Sequence, residues 1–346
     1  MNAPHPVVLR DTHVTLSHGG GGKAMRDLIE AVFLPAFGPG SGEDQARLMD
    51  GALRTPGARL AFTSDSFVVT PAEFPGGDIG KLAVCGTVND LAVGGARPLW
   101  LSAAFIIEEG FEVATLRRIV ASMAHEAKRA GVGIVTGDTK VVGRGQADGI
   151  FITTSGVGVI AGDCDLAARH IRPGDVALVN GVLGDHGAAI LAARGDLALS
   201  TDLQSDCQGL GHLMAAVIAA APGTRAARDA TRGGLASALN EMAIAAGVGV
   251  EIDEAALPLR PEVCGMCEIL GLDPLYLANE GTLVAFVPEA EAQRALAAMR
   301  SCPEGQGARI IGRAVSDHPG QVRMRTVFGS QRVVDMLLGE QLPRIC

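Results

Sequence analysis

The chain has 346 residues, 48% of them hydrophobic, with 46 glycines; that is too long for one core to serve and apolar enough to bury two. Basic residues number 29 and acidic ones 38, a formal charge of −9 with no Lys/Arg-rich block, and one Trp and one Tyr offer little for bases to stack on. These features argue against a nucleic-acid partner. The N-terminus MNAPHPVVLRDTHVTLSHGGGGKAM has no basic stretch leading into an apolar run, and no later run is long enough to cross a membrane. Seven cysteines, an odd number, do not read as a disulfide framework, so a reducing cytoplasm is expected.

In chain order, residues 1–45 are rich in Gly, Pro and polar residues around one apolar patch, Ala31 to Phe37, and predict a tail with a short helix and a loop. Leu60 to Thr63 predicts a strand running into Ser64-Asp65-Ser66. Ile79 to Val93 has helical apolar spacing and predicts a buried helix carrying Asn89 and Asp90. Trp100 to Ile107 suits a core strand, and Glu112 to Ala130 an amphipathic helix ended by Gly131. A strand over Gly133 to Thr136 delivers Gly137-Asp138-Thr139-Lys140 to its end, and Ile150 to Ile160 completes a first domain over 46–161.

Gly, Asp, Arg and Pro then replace apolar residues from Ala161 to Asp175, which marks a boundary. A second domain, 172–338, repeats the alternation. Strands are expected at Val176–Asn180, Val248–Ile252, Thr282–Val287 and Arg309–Ala314. Helices are expected after Gly184-Asp185-His186-Gly187, at Leu210–Ala221, at Gly234–Ala246, near Cys264–Leu270 and at Glu289–Arg300. Pro343 and Gly339 predict a mobile arm, 339–346, ending in Cys346. The fold class is α+β: two mixed α/β domains with flexible N- and C-terminal tails.

Four aspartates sit beside small or hydroxylated neighbours: Asp65 in TSDS, Asp90 in TVND, Asp138 in TGDTK and Asp229 in RDATRGG. Carboxylates converging from separate loops suit Mg²⁺, which takes a few of them together with phosphate oxygens. A single such aspartate more often caps a helix or turn, and the weight lies on the joint occurrence. Gly19-Gly20-Gly21-Gly22-Lys23 offers backbone N–H groups to phosphate without a Cβ in the way, but it lacks Walker spacing and equally describes a linker. Thr231-Arg232-Gly233-Gly234 is either an anion site or a plain helix start. Cys264-Gly265-Met266-Cys267 lacks the second pair that zinc would need and reads as packing cysteines. His18 and His186 are open between catalytic and solvated roles. Cys346, a thiol on a leash at the chain end, is what a covalent carrier would need, and it is not a prenylation box.

Together HGGGG, TSDS, FPGGDIGKLAVCGTVNDLAV, GDTKVV, GDHG, DATRGG, NEG and the terminal PRIC resemble the hydrogenase maturation family HypE, over nearly the whole chain and in the family's order. The resemblance implies the ATP-binding superfamily of aminoimidazole ribonucleotide synthetase, selenophosphate synthetase and thiamin monophosphate kinase. It also implies a homodimer formed through an N-terminal ATP-binding domain, with ATP and Mg²⁺ as cofactors. Gly19, Gly20, Gly21, Gly22, Lys23, Asp65, Asn89, Asp138 and Thr139 are then expected at ATP, and Asp65, Asp90, Asp138 and Asp229 at the metal. The reaction implied is ATP-dependent dehydration of an S-carbamoyl group on Cys346 to a thiocyanate. A carbamoyltransferase, HypF, would load the cysteine, and the cyanide would pass to iron held by HypC and HypD. In that scheme Lys140 stabilises the transferring phosphoryl group, Glu280 takes the nitrogen protons, and His186 is the alternative base. The rivals are a superfamily phosphotransferase or ligase acting on a free metabolite, and a non-enzymatic ATP-binding scaffold.

Overall fold

The computed structural model describes residues 9–38, 45–195, 201–337, 339, 342 and 344–346. Leu338 and Pro343, used above to delimit the arm, lie outside the described residues.

The first domain is a four-stranded sheet with helices on one face. Its strands are Arg59–Phe67, Ala96–Glu108, Gly133–Val142 and Ile150–Ile160, and the order across the sheet is first, fourth, second, third. The second and third strands run parallel, joined by the helix Val113–Ala130; the other pairings are antiparallel. That helix stops where Gly131 takes a left-handed φ of 69°.

Ile79–Val93 forms a helix over the predicted span, capped by the Asp78 side chain accepting from the N–H groups of Gly80 and Lys81. It has no polar face: twelve of its residues are buried, because the sheet lies below it, the helix Val113–Ala130 beside it and the second domain above. Two predicted edges move. The strand from Gly133 continues to Val142, so Asp138, Thr139 and Lys140 lie within a strand and not past its end. The apolar patch Ala31–Phe37 belongs to a continuous helical stretch from Lys23 to Phe37 that includes one π turn.

The second domain is a seven-stranded sheet, mostly antiparallel, with buried clusters on both faces. The helices Gly211–Ala220 and Ala292–Ser301 cover one face and Gly234–Ala246 the other. Three of its strands were not anticipated: Ala226–Asp229, Val322–Arg325 and Gln331–Val334. Ala226–Asp229 is a sheet edge whose last residue is Asp229, so the strand itself aims that carboxylate at the domain junction.

The domains share a core. Ile190, Cys207, Ala278 and Ile345 of the second domain and tail join the first domain's cluster around Phe67, Val84 and Ile152. Within it, a Cβ on Gly80 would sit 2.5 Å from the Ile119 carbonyl oxygen and 2.7 Å from Met123 Cγ. Gly80→Ala should therefore force the two helices apart and lower thermal stability by about 1–3 kcal/mol. A melting temperature equal to that of the parent would contradict this helix contact.

Candidate functional site

The last three residues of the chain lie in the junction between the domains. The Val68 N–H donates to the Cys346 oxygen (3.0 Å) and the Thr70 N–H to the Arg344 oxygen (3.3 Å), the stepping of an antiparallel strand pair. Arg344 donates back to Val68 O from Nε (3.2 Å) and Nη2 (3.1 Å), pairs with Asp148, and lies over the Phe151 ring. From the second domain, Arg194 Nη2 reaches Arg344 O (2.8 Å) and Arg194 Nε reaches Thr70 O (3.0 Å). His186, fully buried, places Nε2 2.7 Å from Ile345 O and Nδ1 2.8 Å from Ser205 Oγ, with Phe74 edge-on to its ring. The side chain of Ile345 is 6% exposed in the first domain's core.

This anchoring carries Cys346 into a pocket of about 190 Å³ lined by Ser64, Asp65, Gly86, Asp90, Asp229, Thr231, Arg232, Glu280 and the thiol itself. Each element presents one group. The strand Arg59–Phe67 turns Asp65 toward the helix Ile79–Val93, whose last turn carries Asp90, and Thr63 Oγ1 donates to Asp90 (2.8 Å). Glu280 lies in the turn before the strand Leu283–Val287, held by Asp206, whose carboxylate accepts from the N–H groups of Glu280 and Gly281 and from the Thr282 hydroxyl, each at 3.0 Å.

Burial, and then the crowding of like charges around a single arginine, biases these groups toward their neutral forms. Burial, then the neighbouring Asp90 and Asp65, push the Asp229 carboxyl up to about 7. Burial raises Asp90 too, against the Thr63 hydrogen bond and with Asp65 adding to the rise. Glu280 is driven well above the ordinary carboxylate range by burial and by Asp206, Asp229 and Asp65, and its Oε1 is buried with no hydrogen-bond partner. Burial and Glu280 push the Cys346 thiol up to about 12, while Arg232, the one cation lining the pocket, pulls the other way. Among the described residues, no group of three or more His, Cys, Asp or Glu side chains is disposed to hold a metal ion alone. A divalent ion here would need phosphate oxygens to complete its shell, which is the donor set that Mg²⁺ accepts.

The remaining expected residues fall elsewhere. Asp138 and Lys140 pair with each other (2.7 Å) on the strand at the opposite edge of the first sheet, and Lys140 holds the Asp138 carboxyl below its ordinary range. Asp138 is cross-strand to Ala104, Ala104 to Thr153 and Thr153 to Ser66, so it stands three strand spacings, about 14 Å, from the strand of Asp65. It also points to the helix-free face, whereas Asp65 faces the helices. Thr139 is buried beside it. Gly19 packs on this same strand, where a Cβ would be 2.6 Å from Val141 N, while Gly20, Gly21 and Gly22 are open and Lys23 pairs with Asp27. His18 is buried, its Nδ1 accepting from the Thr15 N–H (2.9 Å). Asn89 is committed to backbone: its amide donates to Gln208 O (3.0 Å) and Glu280 O (3.3 Å) and accepts from Leu210 N (2.7 Å), so it fastens the loop that holds Glu280. Cys264 and Cys267 sit on the helix Pro261–Leu270, and Cys267 is packed against Val263 and Leu277. Asp206, Ser205 and Arg194 carry no motif that the sequence could have flagged.

Comparisons with known proteins place this geometry in a class. The family models "AIR synthase related protein", N-terminal and C-terminal domains, match residues 42–160 and 172–325. The chain is 76% identical over 340 residues to the carbamoyl dehydratase HypE of Rhodobacter capsulatus, covering 98% of this chain and 100% of that one. It is also similar to a solved hydrogenase maturation protein HypE in complex with ATP, at 45% identity and a TM-score of 0.90 over 96% of this chain and 99% of that one. A HypE–HypF complex structure matches at 45% identity and a TM-score of 0.78, over 90% of this chain and 99% of that one. The chain is thus an AIR synthase related protein with both domains of that class. Within the class it belongs to the HypE family of hydrogenase maturation proteins.

The raised Asp229 carboxyl has a consequence for the ligand-free protein. A folded-state value near 7, above an unfolded value of 3.8, means that the folded chain binds the extra proton between those pH values, so stability falls as pH rises through that window. Asp229→Asn removes the penalty. It should raise the melting temperature at pH 8 by several degrees and leave it unchanged at pH 4, whereas an equal shift at both pH values would refute the assignment.

Proposed function

We propose that the chain dehydrates an S-carbamoyl group on its own Cys346 to a thiocyanate at the expense of ATP, supplying cyanide ligands for the iron of nickel-iron hydrogenase. The observation that carries this reading is the Cys346 thiol inside a pocket of Asp65, Asp90, Asp229 and Glu280, reached by the chain's own terminus. A phosphotransferase acting on a free metabolite would leave that place for its substrate, and here the tail occupies it.

The chemistry follows from what an amide lacks. Its oxygen leaves poorly, and transfer of the ATP γ-phosphoryl to it creates a phosphate that leaves well. The carbamoyl C–O bond then breaks as C≡N forms, the oxygen departs with phosphate and two protons leave the nitrogen. The orphaned Oε1 of Glu280 suits the first contact, since a carbamoyl NH₂ brings the N–H donors it lacks, and once the cations that arrive with the nucleotide return Glu280 to its carboxylate form it can accept a nitrogen proton. Arg232 is placed to meet negative charge that arrives with phosphate. When bound, Mg²⁺ supplies neutralisation of phosphate charge; Asp65, Asp90 and Asp229 are the side chains that would hold it.

Asp138, Thr139, Lys140 and Gly19–Lys23 enter this reading through a homodimer. The helix-free face of the first sheet exposes Leu60 (66%), Phe62 (72%) and Ile106 (43%) around a ladder of hydroxyls in which Ser64 bonds Ser155 and Ser66 bonds Thr153. A second copy covering this face would bring one subunit's Asp138 edge toward the other's Asp65 edge, letting both groups serve one nucleotide. HypF as the loading enzyme and HypC–HypD as the cyanide acceptor are the partners proposed. No helix among the described residues is long and apolar enough to cross a membrane, and all seven cysteines are free, which suits a reducing cytoplasm.

Incubating the carbamoylated chain with Mg-ATP should remove about 18 Da, one water, from the C-terminal peptide. Cys346→Ala should abolish the change, and Glu280→Gln should slow it by roughly 10²-fold or more while the fold is kept. An unchanged mass in the carbamoylated parent would overturn the reading.

A further inference from the structure

Two side chains beside the tail, His186 and Ser205, are not used by the chemistry just described, and with the Cys207 N–H and the Ile345 carbonyl they form a directed chain of hydrogen bonds. A carbonyl oxygen can only accept, so the 2.7 Å contact to Ile345 O requires the proton of His186 to sit on Nε2. Burial pushes the ring down to about 4 and keeps it neutral, so Nδ1 is an acceptor and the Ser205 hydroxyl 2.8 Å away is its donor. That hydroxyl in turn accepts from the Cys207 N–H at 3.0 Å, which turns its hydrogen toward the imidazole. Ser205 is itself fixed from the first domain: its N–H donates to Pro75 O (2.8 Å), and a Cβ on Gly76 would come within 2.7 Å of Ser205 N. The sequence Cys207 N–H, Ser205 O–H, His186 Nε2–H, Ile345 O has only one consistent direction. Both ring nitrogens are thereby spent, and the imidazole has no lone pair to offer a substrate.

Arg194 supports the same object from the neighbouring position, spanning Arg344 O of the tail and Thr70 O of the strand that pairs with it. The contacts that His186 and Arg194 make to Ile345 O and Arg344 O both land on the main chain of the tail. The Cys346 side chain is left to the carboxylate pocket.

We infer that His186, with its tautomer set by Ser205 and with Arg194 beside it, is a positioning residue that recognises the backbone of residues 344–345 and holds the terminal cysteine in the site. It is not a proton acceptor in the reaction. Because the clamp reads carbonyls, it holds the free thiol and an S-modified cysteine alike. The consequence for the reaction rests on the reading that the docked Cys346 is its centre, but the clamp itself can be measured without that reaction.

The test is the rate at which iodoacetamide alkylates Cys346 in the full-length chain, followed by mass spectrometry of the C-terminal peptide at fixed pH. His186→Phe removes the donor and should raise the rate about tenfold, the effect of one lost hydrogen bond on the docked population. His186→Gln can return an N–H to Ile345 O and should restore most of the protection. Ser205→Ala frees the tautomer and should raise the rate severalfold; it carries the test should His186→Phe not fold. Equal rates in the parent, His186→Phe and Ser205→Ala would overturn the inference, as would a His186→Gln rate no lower than that of His186→Phe. Failure of the dehydration reading would look different: the alkylation series would stand while the carbamoylated parent lost no water.

Discussion

The structure depends on a short piece of β-pairing made by the last three residues. Val68 and Thr70 donate to Cys346 and Arg344, and His186 and Arg194 fix the intervening and flanking carbonyls from the other domain. Each bond is modest alone, but they converge on three residues, and Ile345 adds apolar burial in the first domain's core. Because the clamp draws on both domains, the docked tail ties them together at their junction.

What the tail enters is costly for anions in the absence of ligands. Asp65, Asp90, Asp229 and Glu280 share a small pocket with one arginine, and burial with mutual repulsion drives Asp229 and Glu280 toward their neutral forms. Such a pocket is completed by cations and by groups rich in N–H. In the proposed reaction a nucleotide with its divalent ion would supply the first and a carbamoyl amide the second. The elevated thiol of Cys346 is consistent with a residue that arrives already acylated and has no need to act as a nucleophile there.

Helices were the most legible elements. Ile79–Val93 and Gly234–Ala246 end where the sequence placed them, because apolar spacing and terminal glycines are local signals. The strand Ala226–Asp229 was hidden by its brevity and by the loop-like DATRGG that follows, and Val322–Arg325 by its charged side chains at the margin of a sheet. Among site residues, Asp65, Asp90, Asp229, Glu280 and Cys346 were nameable one by one and are brought together. That Asp138 and Lys140 lie on the other edge and the other face was not legible, since strand order and sheet face are tertiary facts. Nor could a sequence show that Asn89 and His186 bond to backbone, because those partners carry no side-chain signature.

The central claim is that the terminal cysteine meets the nucleotide inside this pocket. The most direct measurement is electron–nuclear double resonance on the chain carrying an isotope-labelled carbamoyl carbon on Cys346, with Mn²⁺ and a non-hydrolysable ATP analogue in place of Mg-ATP. The account predicts a resolved hyperfine coupling between the metal and the labelled carbon. A fully carbamoylated, nucleotide-loaded protein that shows no such coupling would contradict it.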